Sequence, residues 1–276
     1  MSYISVSTWS LHRMLGPLRW TYWDADSTTH RTHVEDQPQT HSLLDLPGEA
    51  ARRGYRAIEV CHFHFPSTDT TYLQDLRRSF DTSGIGFDTL LLDYGDLTAA
   101  DETRRNADIR LFRDWIGIAA QCGANRIRLV AGEASPTDEQ AIRRSAAALS
   151  ELAEYAGILG VRVVTENFKP MTSTGESCLK LLDSAGSGVG MITDFGNFHG
   201  DAKYAEIAQI APISSSIHAK PAYDDKGNPD EEEFARCLEA MPSDYDGAYV
   251  LIYDGPGDMW EGLERVKKLV ESHIRQ

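Results

Sequence analysis

The sequence predicts a single α/β domain over residues 1–276, a (β/α)8 barrel with a long first βα loop, about residues 13–41, over its mouth. Eight short apolar runs alternate with amphipathic helical segments, a pattern typical of βαβ units and a parallel sheet. Eight strand and helix pairs favour a closed barrel over an open doubly wound sheet. The chain length of 276 residues suits one such barrel, since these domains typically contain about 250 residues.

The predicted strands are short, apolar and spread over the whole chain. They cover residues 3–10, 56–63, 86–93, 125–132, 161–168, 189–198, 214–221 and 248–256. Residues 101–123 carry an apolar stripe at Ile109, Phe112 and Ile116 and end at Gly123, which predicts a helix with a glycine cap. Residues 135–160 predict the next helix, which ends at Gly160. Further helices are predicted near residues 41–53 and from about Trp260.

The first βα loop is far longer than the usual few residues, and such loops are usually functional or disordered. It contains Trp20, Tyr22 and Trp23, too many large aromatic side chains for a solvated tail. We interpret it as a lid over the barrel mouth. A contact between copies in a homo-oligomer is the alternative, since exposed aromatic residues also mark interfaces.

Charge and composition restrict the class of protein. Asp and Glu number 42 against 27 Lys and Arg, a net charge of −15 that disfavours a nucleic-acid partner. The four cysteines lie far apart and form no zinc-binding spacing, which favours reduced thiols. Neither a signal-like N-terminus nor an apolar run of about 18 residues is found, so we expect no membrane association and a cytoplasmic protein.

Four side chains are predicted at the downstream ends of successive strands: Glu166, Asp194, His218 and Asp254. Residues two and four positions before them are mostly small or branched, as in the interior of a barrel. The carboxyl ends of parallel strands meet at one edge, so the four side chains form a candidate site for one divalent metal: Mn, Co, Mg, Fe or Zn. The alternative is that they cap strands or form buried ion pairs.

Several motifs follow the order of the strands: STWSLH, GYRAIEV, TEN at 165–167, TDFGNF, IHAK and YDGPGD. With these motifs the whole chain resembles the xylose isomerase-like TIM-barrel superfamily, the sugar phosphate isomerase/epimerase group. The resemblance implies one metal held by Glu166, Asp194, His218 and an acid of the last strand, and carboxylates that move a proton. It implies an isomerase or epimerase of a small keto-sugar or related polyol, with Glu166 as ligand and base.

The sequence departs from the family pattern at two places. Ile252 stands where relatives often have a Glu ligand, so Asp254 either replaces that ligand from one layer higher or leaves a three-residue site. Asn197 stands near the position where epimerase relatives commonly have a histidine. It can hydrogen-bond to a sugar hydroxyl but cannot exchange protons. His199, two residues later, is either a loop residue or a ligand.

Further candidates come from other strand ends. We expect Lys220 and Asp254 to act in catalysis beside Glu166, with Lys220 neutralising an enolate oxygen. The residues expected to bind substrate are Trp9, Glu59, His62, His64, Arg128, Asn197 and Lys220. A buried Glu59 needs a partner, for which Arg128 or Lys220 is the expectation. Core packing, turn hydrogen bonds and structural ion pairs are the alternatives for Trp9, the two histidines and Arg128.

Three other functions fit the same sequence. A lyase or dehydratase shares the first proton abstraction. A non-catalytic sugar-binding barrel is suggested by Ile252 at the ligand position. Related barrels also include endonucleases, which the negative charge disfavours.

Overall fold

Eight parallel strands close into a barrel in the computed structural model of the protein, which describes residues 2–274. Two further strands form a hairpin outside it. Numbered along the chain, the strands are β1 (Tyr3–Ser7), β2 (Leu18–Asp24), β3 (Thr29–Glu35), β4 (Ala57–Cys61), β5 (Gly86–Leu91), β6 (Arg126–Arg128), β7 (Arg162–Glu166), β8 (Val189–Asp194), β9 (Ser214–Ala219) and β10 (Ala248–Leu251). Around the barrel the order is β1-β10-β9-β8-β7-β6-β5-β4. The predicted (β/α)8 fold is confirmed. The single domain over residues 1–276 stays a prediction, and residues 1, 275 and 276 lie outside the described residues.

Helices follow the barrel strands. They are α1 (Leu46–Arg52), α2 (Thr70–Ser83), α3 (Glu102–Cys122), α4 (Glu139–Ile158), α5 (Gly175–Ala185), α6 (Lys203–Ile210), α7 (Glu231–Glu239) and α8 (Met259–Ile274). The predicted stop of α3 is present: Gly123 adopts a left-handed φ of 80° and its N–H bonds back to the last turn. Helix α4 ends two residues before Gly160, whose φ of 77° turns the chain towards β7.

The first strand is shorter than predicted. It ends at Ser7, and residues Thr8–Leu11 form a 3-10 helix in which the Ser7 hydroxyl accepts a hydrogen bond from the Trp9 N–H. The hydroxyl of Ser10 accepts a hydrogen bond from the Tyr253 N–H at 2.9 Å and donates to the Leu251 carbonyl at 3.1 Å. This turn therefore fixes the chain just after β10.

Inward-facing side chains follow the parity predicted from the sequence. Val164 and Ile192 belong to one buried apolar cluster inside the barrel, and Ala248, Val250 and Ile252 to a second. The largest apolar cluster includes side chains of opposite parity, such as Val163, Met191 and Leu251, together with residues of the helices. This alternation leaves the strand ends free to present polar side chains at the barrel mouth.

The long first loop contains the antiparallel hairpin β2–β3, which the sequence analysis did not predict. Its strands pair from Leu18 with Glu35 to Asp24 with Thr29. Most of β3 is exposed, so its residues show no buried apolar face that would mark a strand. Tyr22 and Val34 are exposed large apolar residues on the hairpin, and its role as an oligomer contact stays a prediction.

A buried carboxylate on α3 holds the hairpin. Asp108 is fully buried and accepts hydrogen bonds from His30 Nε2 at 2.7 Å, the Tyr94 hydroxyl at 3.0 Å and the Asp96 N–H at 2.9 Å. His30 lies on β3, while Tyr94 and Asp96 follow β5. One side chain therefore joins the hairpin, a barrel loop and α3.

All four cysteines are free and buried. Within residues 2–274, no helix is long and apolar enough to cross a membrane.

We predict that Asp108→Ala lowers the free energy of unfolding by about 2–4 kcal/mol, because the buried N–H of Asp96 and the partly buried hydroxyl of Tyr94 lose their charged acceptor. The measurement is urea denaturation followed by circular dichroism. Asp114→Ala, an exposed change on the same helix, is the control and should stay within about 0.5 kcal/mol of the unsubstituted protein. Equal effects of the two substitutions would contradict the role assigned to Asp108.

Candidate active site and metal centre

Three of the four predicted metal ligands lie together at the carboxyl ends of adjacent strands. Glu166 ends β7, Asp194 ends β8 and His218 lies on β9, directly paired with Asp194. Each is buried, and each offers a ligand atom within 4.8 Å of the others. The parity of the strands turns all three side chains into the barrel, and the register brings them to one end of it.

The imidazole of His218 is held in one orientation by carboxylates on both sides. Its Nε2 lies 2.7 Å from Glu59 Oε2, and its Nδ1 lies 3.3 Å from Asp194 Oδ2 and 3.5 Å from Glu166 Oε1. Glu59 on β4 is fully buried and also accepts a hydrogen bond from the Ser216 hydroxyl at 3.3 Å. A carboxylate that orients the far nitrogen of a ligand histidine is a common support of metal sites.

The expected partners of Glu59 are therefore wrong. The sequence analysis assigned Arg128 or Lys220, but the carboxylate pairs with His218. Glu59 and His218 both point into the barrel and meet there, whereas Arg128 forms ion pairs with Asp93 and Glu166 and Lys220 pairs with Asp254.

The ionisable side chains of the site shift one another's pKa. Burial alone lowers the pKa of His218, but the carboxylates of Glu166 and Glu59 and the hydrogen bond to Asp194 outweigh it and raise the pKa well above its usual value. Burial correspondingly raises the pKa of Asp194 and of Glu59, yet His218 lowers both below their usual values. The cluster thus combines ionised carboxylates with a cationic imidazole.

Arg128 on β6 contacts Glu166 through Oε2, whereas His218 lies near Oε1. Its Nε lies 3.2 Å from Glu166 Oε2, its Nη2 forms an ion pair with Asp93, and its guanidinium lies 4.7 Å above the ring of Phe168. The Arg128–Glu166 pair is not aligned as a hydrogen bond, so Glu166 Oε2 is buried without a hydrogen-bond partner. Its other oxygen accepts from Asn197 Nδ2 at 3.1 Å.

The residues present fit a divalent cation. The cluster offers two carboxylates and, once deprotonated, one imidazole. Carboxylates suit Mg and Mn, and an imidazole suits Fe and Zn, so Mn, Co, Fe, Zn and Mg are all compatible with this donor set. The buried Glu166 Oε2 has an unused lone pair, and a cation can replace the proton that His218 holds between carboxylates. Glu166, Asp194 and His218 can therefore hold one ion, and the donor set leaves its identity open.

Asn167 fixes the end of β8, a contribution that the sequence analysis missed. Its Oδ1 accepts from the Asp194 N–H at 2.7 Å, and its Nδ2 donates to the Asp194 carbonyl at 3.0 Å. Both hydrogen bonds hold the backbone that carries the Asp194 carboxylate. The signal was its position directly after Glu166, in a motif whose amide was not assigned a role.

Asp254 lies outside the cluster of Glu166, Asp194 and His218. Strand β10 ends at Leu251, and Asp254 follows in a loop, where its Oδ2 lies 2.7 Å from Lys220 Nζ. Burial lowers the pKa of Lys220, but Asp194 and Asp254 raise it above its usual value, so the lysine is charged. At the expected ligand position, Ile252 is buried among Ala248, Val250 and the partly buried Trp9.

A cavity of about 470 Å³ opens above the cluster. It is lined by the three clustered residues and by Asp254, together with four of the predicted substrate contacts, Trp9, Arg128, Asn197 and Lys220. Trp20 of the hairpin forms part of the wall and packs on Phe63, with ring centroids 4.3 Å apart. The long loop therefore covers part of the mouth, as the lid interpretation requires.

His62 and His64 do not line this cavity. His62 accepts a hydrogen bond from the Asp93 N–H at 3.3 Å and contacts the Thr21 hydroxyl of the hairpin at 3.4 Å, while His64 Nδ1 lies 2.9 Å from the Thr8 hydroxyl. Burial lowers the pKa of His62 to about 4 and that of His64 to about 3, so both are neutral at pH 7. Their contacts support the loops around the site. His199 lies in a neighbouring cavity.

The matching family model, described as xylose isomerase-like TIM barrel, covers residues 47–270. The chain belongs to this family. No curated protein sequence matches it significantly.

Solved structures share the fold of this xylose isomerase-like chain at low sequence identity. An L-ribulose 3-epimerase is 14% identical with a TM-score of 0.71, over 100% of this chain and 95% of that one. A probable 3-DHS dehydratase from Bacillus anthracis is 16% identical with a TM-score of 0.69, over 98% and 99%. A D-allulose 3-epimerase from Methylomonas sp. is 16% identical with a TM-score of 0.68, over 98% and 97%.

His62 and His64, which burial keeps neutral, predict a pH-dependent stability. An unfolded histidine has a pKa of about 6.5, so between this value and the lowered folded pKa the unfolded state binds the extra proton. The contribution of each neutral histidine to the free energy of unfolding is fully present above about pH 6.5. It decreases as the pH falls, by about 2 kcal/mol per histidine at pH 5. Urea denaturation at pH 7.5 and pH 5 should show a loss that is smaller by about this amount in His64→Gln.

His199→Gln is the matched control, because this histidine is exposed. Its pH-dependent loss should equal that of the unsubstituted protein. An unchanged loss in His64→Gln would show that His64 is not buried in its neutral form.

Proposed function

We propose that this protein is a metal-dependent isomerase or epimerase that acts on a small keto-sugar or related polyol by abstracting a proton next to the carbonyl. The observation that carries the proposal is the cluster of Glu166, Asp194 and His218, with ligand atoms within 4.8 Å of one another, at the floor of a cavity of about 470 Å³. Membership of the xylose isomerase-like family and structural neighbours that include two sugar 3-epimerases support this class of reaction.

Glu166, Asp194 and His218 are the residues that would hold the metal. A divalent cation bound there would polarise the substrate carbonyl and stabilise the negative oxygen of an enediolate. Glu59 keeps the Nδ1 side of His218 turned towards the two carboxylates, and Asn167 fixes the backbone of Asp194. The site is therefore preorganised by groups that do not themselves touch the substrate.

Glu166 is the proposed base. In this step its carboxylate takes the proton from the carbon next to the carbonyl, the C–H electron pair forms the C=C bond, and the carbonyl electrons move to oxygen. Isomerisation is completed when the proton returns to the former carbonyl carbon and the proton of the adjacent hydroxyl moves to the enediolate oxygen, so that the new carbonyl forms on the adjacent carbon. Asn197 and Arg128 hold the two oxygens of Glu166 in place for this transfer.

Epimerisation needs a proton donor on the other face of the enediolate. Asp254 lines the same cavity from a loop after β10, three strands away from β7 around the barrel. Its ion pair with Lys220 places a carboxylate and an ammonium group together on that wall. The ammonium group of Lys220 is the proposed source of this proton, and Asp254 is the proposed second acid–base group that passes it to the carbon. Lys220 also stabilises negative charge on a substrate oxygen.

A lyase is the second candidate, and the charged Lys220 favours it. After the same proton abstraction, a hydroxyl group β to the carbonyl can leave as water if an acid protonates it. The raised pKa of Lys220 keeps its ammonium group protonated at the cavity wall. The elimination product contains a C=C bond and one water fewer, which distinguishes it from an isomer of the substrate.

We predict that the purified protein binds about one Mn²⁺ or Co²⁺ per chain. Glu166→Gln replaces an anionic donor by a neutral amide and His218→Ala removes a donor, so each should lower this occupancy at least tenfold. Elemental analysis after dialysis against the ion gives the stoichiometry. Asp225→Asn, which removes an exposed carboxylate outside the cluster, is the control and should retain the metal. Full occupancy in both cluster variants would exclude the proposed site.

We predict that keto-sugars incubated with the metal-loaded protein in D2O lose the signal of the hydrogen next to the carbonyl in proton NMR spectra. Glu166→Gln should slow this exchange by on the order of 10²–10⁴-fold, the typical contribution of a general base. Asp254→Asn should slow formation of the epimer more than the exchange itself. Loss of water from the sugar would support the lyase, and absence of exchange across a panel of ketohexoses and ketopentoses would count against the proposal.

A further inference from the structure

A second cavity, of about 590 Å³, opens next to the one above the cluster of Glu166, Asp194 and His218. It lies on the same face of the barrel, because its lining residues follow β8, β9 and β10 and include His199, Ala222, Tyr223, Asp225 and Pro256. We call it the outer cavity and the one above the cluster the inner cavity. Of its lining residues, the proposed chemistry uses only Lys220 and Asp254.

The two cavities share two lining residues. Lys220 and Asp254 line both of them, and the 2.7 Å ion pair between these residues lies at the boundary. Tyr223 of the outer cavity donates a hydrogen bond to the carbonyl of Ile252, whose side chain lines the inner cavity. A ligand can therefore extend from one cavity into the other past this ion pair.

The charges of the outer cavity disfavour an anionic ligand. Its two lysines are paired with carboxylates: Lys203 Nζ lies 2.7 Å from Glu233 Oε1, and Lys220 is bound to Asp254. Asp225 adds an exposed carboxylate. A phosphate group would meet negative potential here, whereas neutral hydroxyl groups can hydrogen-bond to these carboxylates and lysines.

The outer cavity also has apolar surface for the carbon face of a sugar ring. Pro221, Tyr223 and Pro256 contribute to its lining. The ring of Tyr223 is fixed by its hydroxyl bond to Ile252 and by an edge contact with Tyr253, with centroids 4.8 Å apart. A fixed aromatic ring between carboxylates is suited to a group that has both C–H faces and hydroxyl edges.

From these observations we infer that the substrate has two linked units: a keto-sugar ring that reacts in the inner cavity, and a neutral glycosyl unit that occupies the outer cavity. The inference rests on the proposed function and specifies its substrate class as a keto-disaccharide or keto-glycoside, not a sugar phosphate. Each cavity lies within the range of about 300–1,000 Å³ typical of small-molecule sites, which gives room for one ring apiece.

The test compares the binding of a single ring with that of two linked rings. Calorimetric titrations of the Mn²⁺-loaded protein use D-fructose and two of its glucosylated forms, maltulose and isomaltulose, which carry the glucose at different positions. We expect at least one disaccharide to bind at least tenfold more tightly than D-fructose. In Ala222→Trp and in Asp225→Trp, where an exposed residue of the outer cavity becomes bulky, the ratio of the two dissociation constants should fall to about one.

Ala147→Trp, on the exposed face of α4, is the matched control and should keep the ratio; thermal melting checks that all three variants are folded. Equal affinity for the single and double rings overturns the inference, and so does a ratio of dissociation constants that neither outer-cavity substitution changes. The proposed function still holds in that case if D-fructose or another ketose exchanges the hydrogen next to its carbonyl. Failure of metal binding and of proton exchange overturns the proposed function, and the inference with it.

Discussion

The contact between Glu59 and His218 is the constraint on which the site depends. A carboxylate that is fully buried inside a barrel is costly unless a cationic or hydrogen-bonding partner compensates it. Here the partner is an imidazole at 2.7 Å, and the contact turns the other ring nitrogen towards Asp194 and Glu166. The position of one buried acid on β4 thus decides which ring nitrogen of His218 on β9 faces Asp194 and Glu166.

Other buried charges extend this pairing through the barrel. Below the site, Arg126 forms an ion pair with Asp88 at 2.5 Å, and the Tyr3 hydroxyl also contacts Asp88. Above it, Arg128 joins Glu166 and Asp93. Because removal of one member of a buried ion pair is strongly destabilising, this interior tolerates fewer substitutions than an apolar barrel core. Glu166 and His218 contribute to folding stability as well as to the candidate metal site.

The sequence predicted the features that depend on local periodicity. Alternation of apolar runs and amphipathic helices gave the eightfold barrel, and strand parity gave the inward direction of Glu166, Asp194 and His218. Partner choice was harder to predict, because it depends on strand register and on the height of each side chain in the barrel. Parity placed Glu59 and Arg128 on the inner face, yet it could not show that Glu59 reaches His218.

The hairpin and Asp254 escaped prediction for different reasons. Strand β3 is largely exposed, so burial imposed no apolar pattern on it, and its position is set by the distant Asp108. Asp254 has the parity of an inward residue, but regular strand geometry ends at Leu251, and the Ser10 hydroxyl holds the chain beyond that point. Parity has no meaning after the last residue of a strand.

The boundary between the two cavities has a consequence for how fast a ligand can enter. It includes the ion-paired side chains of Lys220 and Asp254, each about one-third exposed. Exposed side chains change rotamer in picoseconds to nanoseconds, whereas loops move in nanoseconds to microseconds and lids open in microseconds to seconds. Rotation of Lys220 and Asp254 apart breaks their 2.7 Å ion pair without moving Glu166, Asp194 or His218, none of which lines the outer cavity. The lifetime of one ion pair then limits how fast a ligand exchanges across this boundary.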